Sequence, residues 1–395
     1  MQLSIFVKVA LVAAAAVNAN VIPVRRQRTS YFDIQVQVLQ LSLPPRHAYR
    51  FFVWKKSRDI VEAEERLSRV PSQPLHGICE ATFVFERVPY TFYRALLDGA
   101  TTLELDNGIT KDGVPVVWHD EEISAEKCRD TAPAFRGDPM FPYVGKLLVN
   151  LTLAQIKTLD CGSQRLSAYP LQLTYAGAKI PTLTEVFDFA RCVDFERRLK
   201  FNVESKINPV FQSNTKSVDE FVNAQYREFW RSGYPLAQIT YQSFDWRTLV
   251  AMKALNSKMP TAALADPQTT TPYNGAYPFL AGLNLDNFPG DNLGTKVANA
   301  AKHIKADVLS PNAGTLGNMY TTKEMVNAAH RLGMTVVPWT VNDLSVADAL
   351  LDMGVDGIIT DFPSNMRRFV SQKGRSVAPL FNEWWVNECL KRHNK

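Results

Sequence analysis

Residues 103–120 read LELDNGITKDGVPVVWHD. Glu104 and Asp106 stand two apart in a run with strand character, so both side chains leave the same face. Asp112-Gly113 is a two-residue hairpin signal, and a turn centred there predicts that residue 106 pairs with residue 119, which sets His119 opposite Asp106. Leu103, Leu105, Val114, Val116, Val117 and Trp118 mark the segment as core, where an unpaired charge is costly. Two acids and an imidazole converging on one strand edge suit a hard divalent cation beside a proton-transfer group. The competing reading, a solvated hairpin with ordinary surface charges, conflicts with those apolar flanks.

Working outward, strand-like runs occur at 102–106, 200–205, 238–243, 261–266, 306–310, 335–341 and 357–361. Helical patterns lie between them, among them 184–192, 246–255, 323–332 and 345–353. Asp343 and Ser345 offer helix-start chemistry, while Gly333 and Gly354 sit where helices should stop. Seven strands with helical crossovers predict an α/β fold, a TIM-type (β/α)8 barrel, provided one further strand lies upstream. In such barrels functional groups sit at the C-terminal strand ends. Glu104 and Asp106 close one strand, Glu204 and Lys206 the next, Trp339 a late one and Asp361 the last.

These motifs, E-L-D followed by T-K-D-G-V-x-V-V-x-H-D, resemble the signature of the glycerophosphodiester phosphodiesterases, a family of TIM-barrel type. KIPTL at 179–183, NVESK at 202–206, QSF at 242–244, PWTVN at 338–342 and GVDGIITD at 354–361 extend the resemblance in the same order. It covers roughly 85–370 and is greatest for secreted fungal members, which share a long insertion after the His-Asp pair, here about 120–180. The resemblance implies that Glu104, Asp106 and Glu204 hold a Ca2+ or Mg2+ ion, and an oxygen-only ligand set agrees with that and argues against zinc. It implies that Lys206 balances charge on the phosphate and that Trp339 walls the alcohol; the alternatives are a Lys206–Glu204 salt bridge and core packing of Trp339. His119 takes one proton-transfer role. The implied reaction is metal-dependent hydrolysis of a small-molecule glycerophosphodiester to glycerol 3-phosphate and an alcohol.

The resemblance breaks upstream. The family opens its barrel with a strand ending in His-Arg-Gly, followed by Glu-Asn-Thr. Here Glu86 alone keeps its place in the later motif as a substrate-binding candidate, and His76, the nearest upstream histidine, is followed by glycine, so the arginine is absent. His76 is therefore a catalytic candidate with a loop histidine as its alternative. Residues 70–75, VPSQPL, are poor material for a central strand, so the first strand reads as atypical or missing. Either the arginine has been lost, or part of 24–84 is a mistranslated segment joined to a family domain. The rival functions are a phospholipase D-like enzyme on intact lipids, with 273–283 as its docking loop, and a phosphodiester-binding protein without turnover.

Composition sets the remaining bounds. Residues 1–19 combine one lysine with a short apolar run and small residues, which predicts a secretory signal peptide and a secreted or cell-wall-associated product, not a stable membrane anchor. Residues 24–75 hold ten Lys or Arg against five Asp or Glu, a surplus equal to the whole net charge of +5. The segment 20–80 thus reads as irregular and basic, 81–372 as the barrel and 373–395 as a tail. No nucleic-acid-binding motif accompanies the basic residues, and no feature sets an oligomeric state. Of the five cysteines, Cys128 and Cys161 flank the insertion and are the expected bridge, stapling a segment without a core of its own. Asn150-Leu-Thr152 is an N-glycosylation sequon.

Overall fold

The computed structural model describes residues 32–37, 90–167, 169 and 172–393. Its strands are β1 (Asp33–Gln37), β2 (Thr102–Ile109), β3 (Pro115–Val117), β4 (Lys200–Ser205), β5 (Ile239–Ser243), β6 (Thr261–Ala265), β7 (Val308–Pro311), β8 (Gly314–Thr315), β9 (Asn318–Met319), β10 (Thr335–Val336) and β11 (Gly357–Thr360). Eight of them pair in the order β10-β7-β6-β5-β4-β2-β1-β11, each contact parallel. The 335–341 run is a formal strand only at its start, because Pro338 lacks an N–H for the ladder. Its backbone still closes the barrel, through Ile359 N–H to the Pro338 carbonyl at 2.9 Å and Val341 N–H to the Ile359 carbonyl at 2.8 Å. The fold is a nearly closed (β/α)8 barrel.

The helices are α1 (Tyr90–Leu97), α2 (Leu153–Ile156), α3 (Leu183–Val193), α4 (Val218–Arg231), α5 (Trp246–Leu255), α6 (Leu293–His303), α7 (Lys323–Arg331), α8 (Leu344–Met353), α9 (Pro363–Gln372) and α10 (Glu383–His393). Thr182 with Glu185 and Ser217 with Glu220 form capping boxes that start α3 and α4, satisfying N–H groups that the first turn leaves open. Gly354, at φ 87°, ends α8 in the left-handed region that glycine enters without strain. Outward-facing Leu103, Phe201, Val203, Ile239 and Tyr241 pack beneath these helices in one continuous core. Among the described residues no helix is long and apolar enough to cross a membrane.

Four sequence expectations need correction. The eighth strand is β1, inside the stretch read as irregular. Ile34 and Val36 pack outward beneath the helices, and Gln35, on the inward face, accepts a 3.0 Å hydrogen bond from Asn202. His76, Glu86, His47 and Cys79 lie outside the described residues. The hairpin is shifted by one residue from the expected register: Asn107 pairs with Val117, and Trp118 N–H donates to the Asp106 carbonyl. Its loop has three residues, Lys111 to Gly113, with Gly113 at φ 81°, the common alternative to a two-residue turn.

The insertion also has a core of its own, in which Val116, Trp118, Ile123, Tyr143, Leu148, Leu151, Ile156, Leu159 and Ile180 surround the expected Cys128–Cys161 disulfide. Lastly, the residues read as a tail form α10. That helix docks on α1 and α3, buries Val386 and Leu390, and joins α3 through a second disulfide, Cys192–Cys389.

That second bridge closes a span of 197 residues, and a long loop is where a cross-link restricts the unfolded chain most. The pair Cys192→Ser with Cys389→Ser should lower stability by about 2 to 4 kcal/mol, read as a shift of the urea midpoint. An unchanged midpoint would mean that α10 is held by packing alone.

Candidate active site

Strand register assembles the centre of the site. In the β2–β4 ladder Asp106 is the direct partner of Glu204, and Glu104 stands one pleat earlier on the same inward face. The three carboxylates are almost fully buried, and one oxygen from each falls within 4.8 Å of the others. At that separation two like charges repel by on the order of 3 kcal/mol at an effective dielectric near 20. Glu104 Oε1 accepts from Gln242 Nε2 at 2.8 Å, but Glu104 Oε2 and both Asp106 oxygens have no hydrogen-bond donor. Burial, with the neighbouring Asp106 and Glu204 charges, holds Glu104 well above the ordinary carboxylate range. Glu204 is pushed up to about 8, chiefly by burial, with Asp106 adding to it against the pull of Lys206.

Orphaned acceptor oxygens with raised proton affinity are what a cation-binding cluster shows without its cation. Glu104, Asp106 and Glu204 therefore fit a hard divalent ion, with hard oxygen donors and no sulfur or imidazole among them. Beneath them Asn202 Nδ2 donates to Gln35 Oε1 and Gln242 Oε1 at 3.0 and 2.7 Å. This amide layer ties β1, β4 and β5 together and aims Gln242 at Glu104. Sequence reading placed Gln242 near the site without assigning it that contact.

His119 follows β3 at the rim. Its Nδ1 lies 2.9 Å from Asp120 Oδ1 and its Nε2 lies 3.1 Å from Lys206 Nζ. A carboxylate only accepts and an ammonium only donates, so Nδ1 carries the proton and Nε2 the lone pair. Burial, reinforced by the Lys206 charge, holds the imidazole below the usual histidine value against the pull of Asp106 and Asp120. His119 is therefore neutral near neutral pH, with its basic nitrogen facing the Lys206 ammonium.

Lys206 Nζ is 3.2 Å from Glu204 Oε1 and 5.7 Å from the centre of the Phe244 ring. The salt bridge weighed as the alternative for this lysine is thus present. Burial opposes its charge, but Glu204 and Asp106 outweigh that and raise its proton affinity. Trp339 is half-buried, its Nε1 donates to the Ser310 carbonyl at 2.8 Å, and its ring meets Phe244 edge-on at 5.3 Å. The two aromatics form one wall, so Phe244 lines the site as well as packing. Asp361 accepts from Asn342 Nδ2 at 2.6 Å, and burial pushes it up to about 6. Through Asn342 it braces the last strand end.

These groups open onto a cleft of about 780 Å³ at the C-terminal face, lined by His119, Glu204, Lys206 and Phe244 on the barrel side and by Glu121, Lys127 and Phe211 farther out. Buried acids, a neutral imidazole, an ammonium and an aromatic wall in one open cleft can hold an anionic ester, offset its charge and move a proton.

Comparison with known proteins agrees with this chemistry. The family model "Glycerophosphoryl diester phosphodiesterase family" matches residues 90–365. A glycerophosphodiester phosphodiesterase of Bacillus subtilis is 26% identical over 266 residues, covering 67% of this chain and 74% of that protein. One from Bacillus altitudinis is 27% identical over 278 residues, covering 70% and 89%. A solved structure from Silicibacter pomeroyi, described as a candidate glycerophosphoryl diester phosphodiesterase, superposes with a TM-score of 0.57 at 26% identity, covering 73% of this chain and 88% of that one. With a matching barrel and a family match over well over half its length, this chain belongs to the glycerophosphoryl diester phosphodiesterase family, whose members are phosphoric diester hydrolases.

Proposed function

We propose that this protein is a secreted, Ca2+- or Mg2+-dependent glycerophosphodiester phosphodiesterase that releases glycerol 3-phosphate and an alcohol. The observation that carries the reading is the buried Glu104–Asp106–Glu204 cluster, with its unpaired oxygens, beside a neutral His119. A bound divalent ion supplies neutralisation of the phosphodiester's non-bridging oxygens. Glu104, Asp106 and Glu204 would hold it. Lys206 turns from Glu204 to a phosphate oxygen, adding a second positive charge where negative charge grows. Nε2 of His119 takes a proton from the attacking hydroxyl, either water or the neighbouring glycerol hydroxyl, or returns one to the leaving oxygen. Trp339 and Phe244 wall the organic part of the substrate.

Two features favour a small water-soluble diester over an intact lipid. Within 273–283 Leu280 is buried and Tyr277, Ala281 and Leu283 pack against the core, leaving Tyr273 outward. That segment does not present the apolar docking face the lipid reading requires. The cleft, in turn, is lined by six carboxylates, Asp120, Glu121, Glu122, Glu126, Glu204 and Asp266, which outnumber its large apolar side chains, Ile207, Phe211, Phe244 and Phe279. Secretion is supported by the apolar leader at 1–19 and by two disulfides, which persist in oxidising compartments. Asn150 is exposed and open to glycosylation there.

Glycerol 3-phosphate release from glycerophosphocholine should require added divalent cation and stop with chelator. His119→Ala should lower kcat by about a hundredfold to ten-thousandfold, whereas equal rates for the two proteins would sink the assignment.

Stability should report the cluster independently of turnover. Glu204 binds its proton more tightly folded than unfolded, so in chelator its contribution is present below pH about 4.5 and lost as pH rises through about 8. A divalent cation competes with that proton, so the rise in Tm that it gives should grow over the same interval. In Glu204→Gln the metal-free Tm should stay flatter with pH, and the metal-induced rise should shrink. A metal-induced rise in Glu204→Gln equal to that of the wild type would remove Glu204 from the ligand set.

A further inference from the structure

Lys127 belongs to the insertion, yet its side chain is only 6% exposed, which is rare for a lysine. Its Nζ donates to Asp120 Oδ2 at 2.5 Å and lies 5.4 Å from the centre of the Trp118 ring. The other oxygen of the same carboxylate faces His119 Nδ1 at 2.9 Å. Asp120 is thus shared, one oxygen to the imidazole and one to the ammonium.

The lysine is fixed from behind as well. The 124–128 turn closes through Lys127 N–H and Cys128 N–H, both to the Ser124 carbonyl, at 3.2 and 2.9 Å. Cys128 is bridged to Cys161, and Arg129 and Asp160 exchange backbone hydrogen bonds at 2.8 and 3.0 Å. Folding the insertion has therefore already met the entropic cost of orienting a long side chain. A surface ion pair would contribute little, but a buried ammonium retained without a strong partner is costly, and here the partner is the carboxylate that holds His119.

We propose that Lys127 is a positioning residue for His119: its ammonium locks the Asp120 carboxylate so that Nδ1 stays protonated and Nε2 stays turned to the reacting atoms. The insertion, clamped by Cys128–Cys161, thereby completes the catalytic constellation from outside the barrel. This rests on the reading of His119 as the proton carrier. Asp106 and Lys206 also face this pair electrostatically, and both remain in place in the variants below.

The test combines tautomer spectroscopy with kinetics on the full chain. Histidine-selective 15N NMR, with His119 identified by its loss in His119→Gln, should show a single Nδ1–H tautomer in the wild type and in Lys127→Arg. It should show a tautomer mixture in Lys127→Met. On glycerophosphocholine, Lys127→Met should lose about tenfold to a hundredfold in kcat, the scale of supporting-residue losses at metal sites, with KM within about twofold. Lys127→Arg should recover most of that loss.

In an Asp120→Asn background Lys127→Met should add little, because the two residues act as one unit. An unchanged single tautomer in Lys127→Met overturns the proposal, as does a rise in KM at constant kcat or a full additional loss in the Asp120→Asn background. Should Lys127→Met not fold, Lys127→Gln carries the same readings. If the wild type turns over no diester, the proposed function fails, while the tautomer spectrum still decides the role of Lys127.

Discussion

Mutual repulsion among Glu104, Asp106 and Glu204 is the constraint around which the rest of the molecule is arranged. Parallel register places Asp106 beside Glu204 on the inward face. A cluster of this kind survives burial only by taking up protons or by taking up a cation, and the raised proton affinity of Glu104 and Glu204 shows the first of these. The surrounding residues limit the strain. Gln242 donates to Glu104, Lys206 pairs with Glu204, and the Asn202 amide layer prevents the strands from relaxing apart. The site thus trades stability for a binding function, as preorganised polar centres do.

A second level of organisation lies outside the eight-fold repeat. The β2–β3 hairpin delivers His119 to the cluster, but the hairpin alone leaves its imidazole at the end of a three-residue strand. What steadies it is the insertion, whose core rests on Trp118. The Trp118 indole donates to the Glu122 carbonyl at 3.0 Å. On the other side Asn208 and Asn214 grip Glu121 across the cleft, the latter at 2.7 Å from Oε2. The loop after β4 and the loop after β3 are thereby joined beside His119.

Much of this was legible in the chain. The two-residue spacing of Glu104 and Asp106, the β4 motif around Glu204 and Lys206, and the helix stops at Gly333 and Gly354 each have a local physical cause, and each falls where expected. The failures had non-local causes. Turn length in the hairpin was decided by Asp112, which accepts from Thr110 Oγ1 at 2.5 Å and from the Leu153 N–H at 3.0 Å, a contact 41 residues away. Strand β1 escaped notice because Gln35 faces the interior, whereas central strands of parallel sheets usually read as continuous apolar runs; its partner Asn202 lies on β4. Helix α10 looked like a tail because its apolar face is brief, and docking depends on Cys192 and on Trp385, whose indole donates to the Cys192 carbonyl at 2.9 Å.

The charge balance at the cleft bears on how the site would meet an anion. The stretch in which the family's first-strand motif was sought lies outside the described residues, and among the described residues the cations lining the cleft are Lys127 and Lys206. Lys127 is committed to Asp120, and that pair is neutral in sum. Lys206 is therefore the lysine left to meet a phosphate, and it must first leave Glu204. A divalent ion held by the three carboxylates would make that exchange favourable, because it would take up the Glu204 charge that otherwise attracts the ammonium. On the proposed function, ion binding by these carboxylates and release of Lys206 toward a phosphate would thus be coupled.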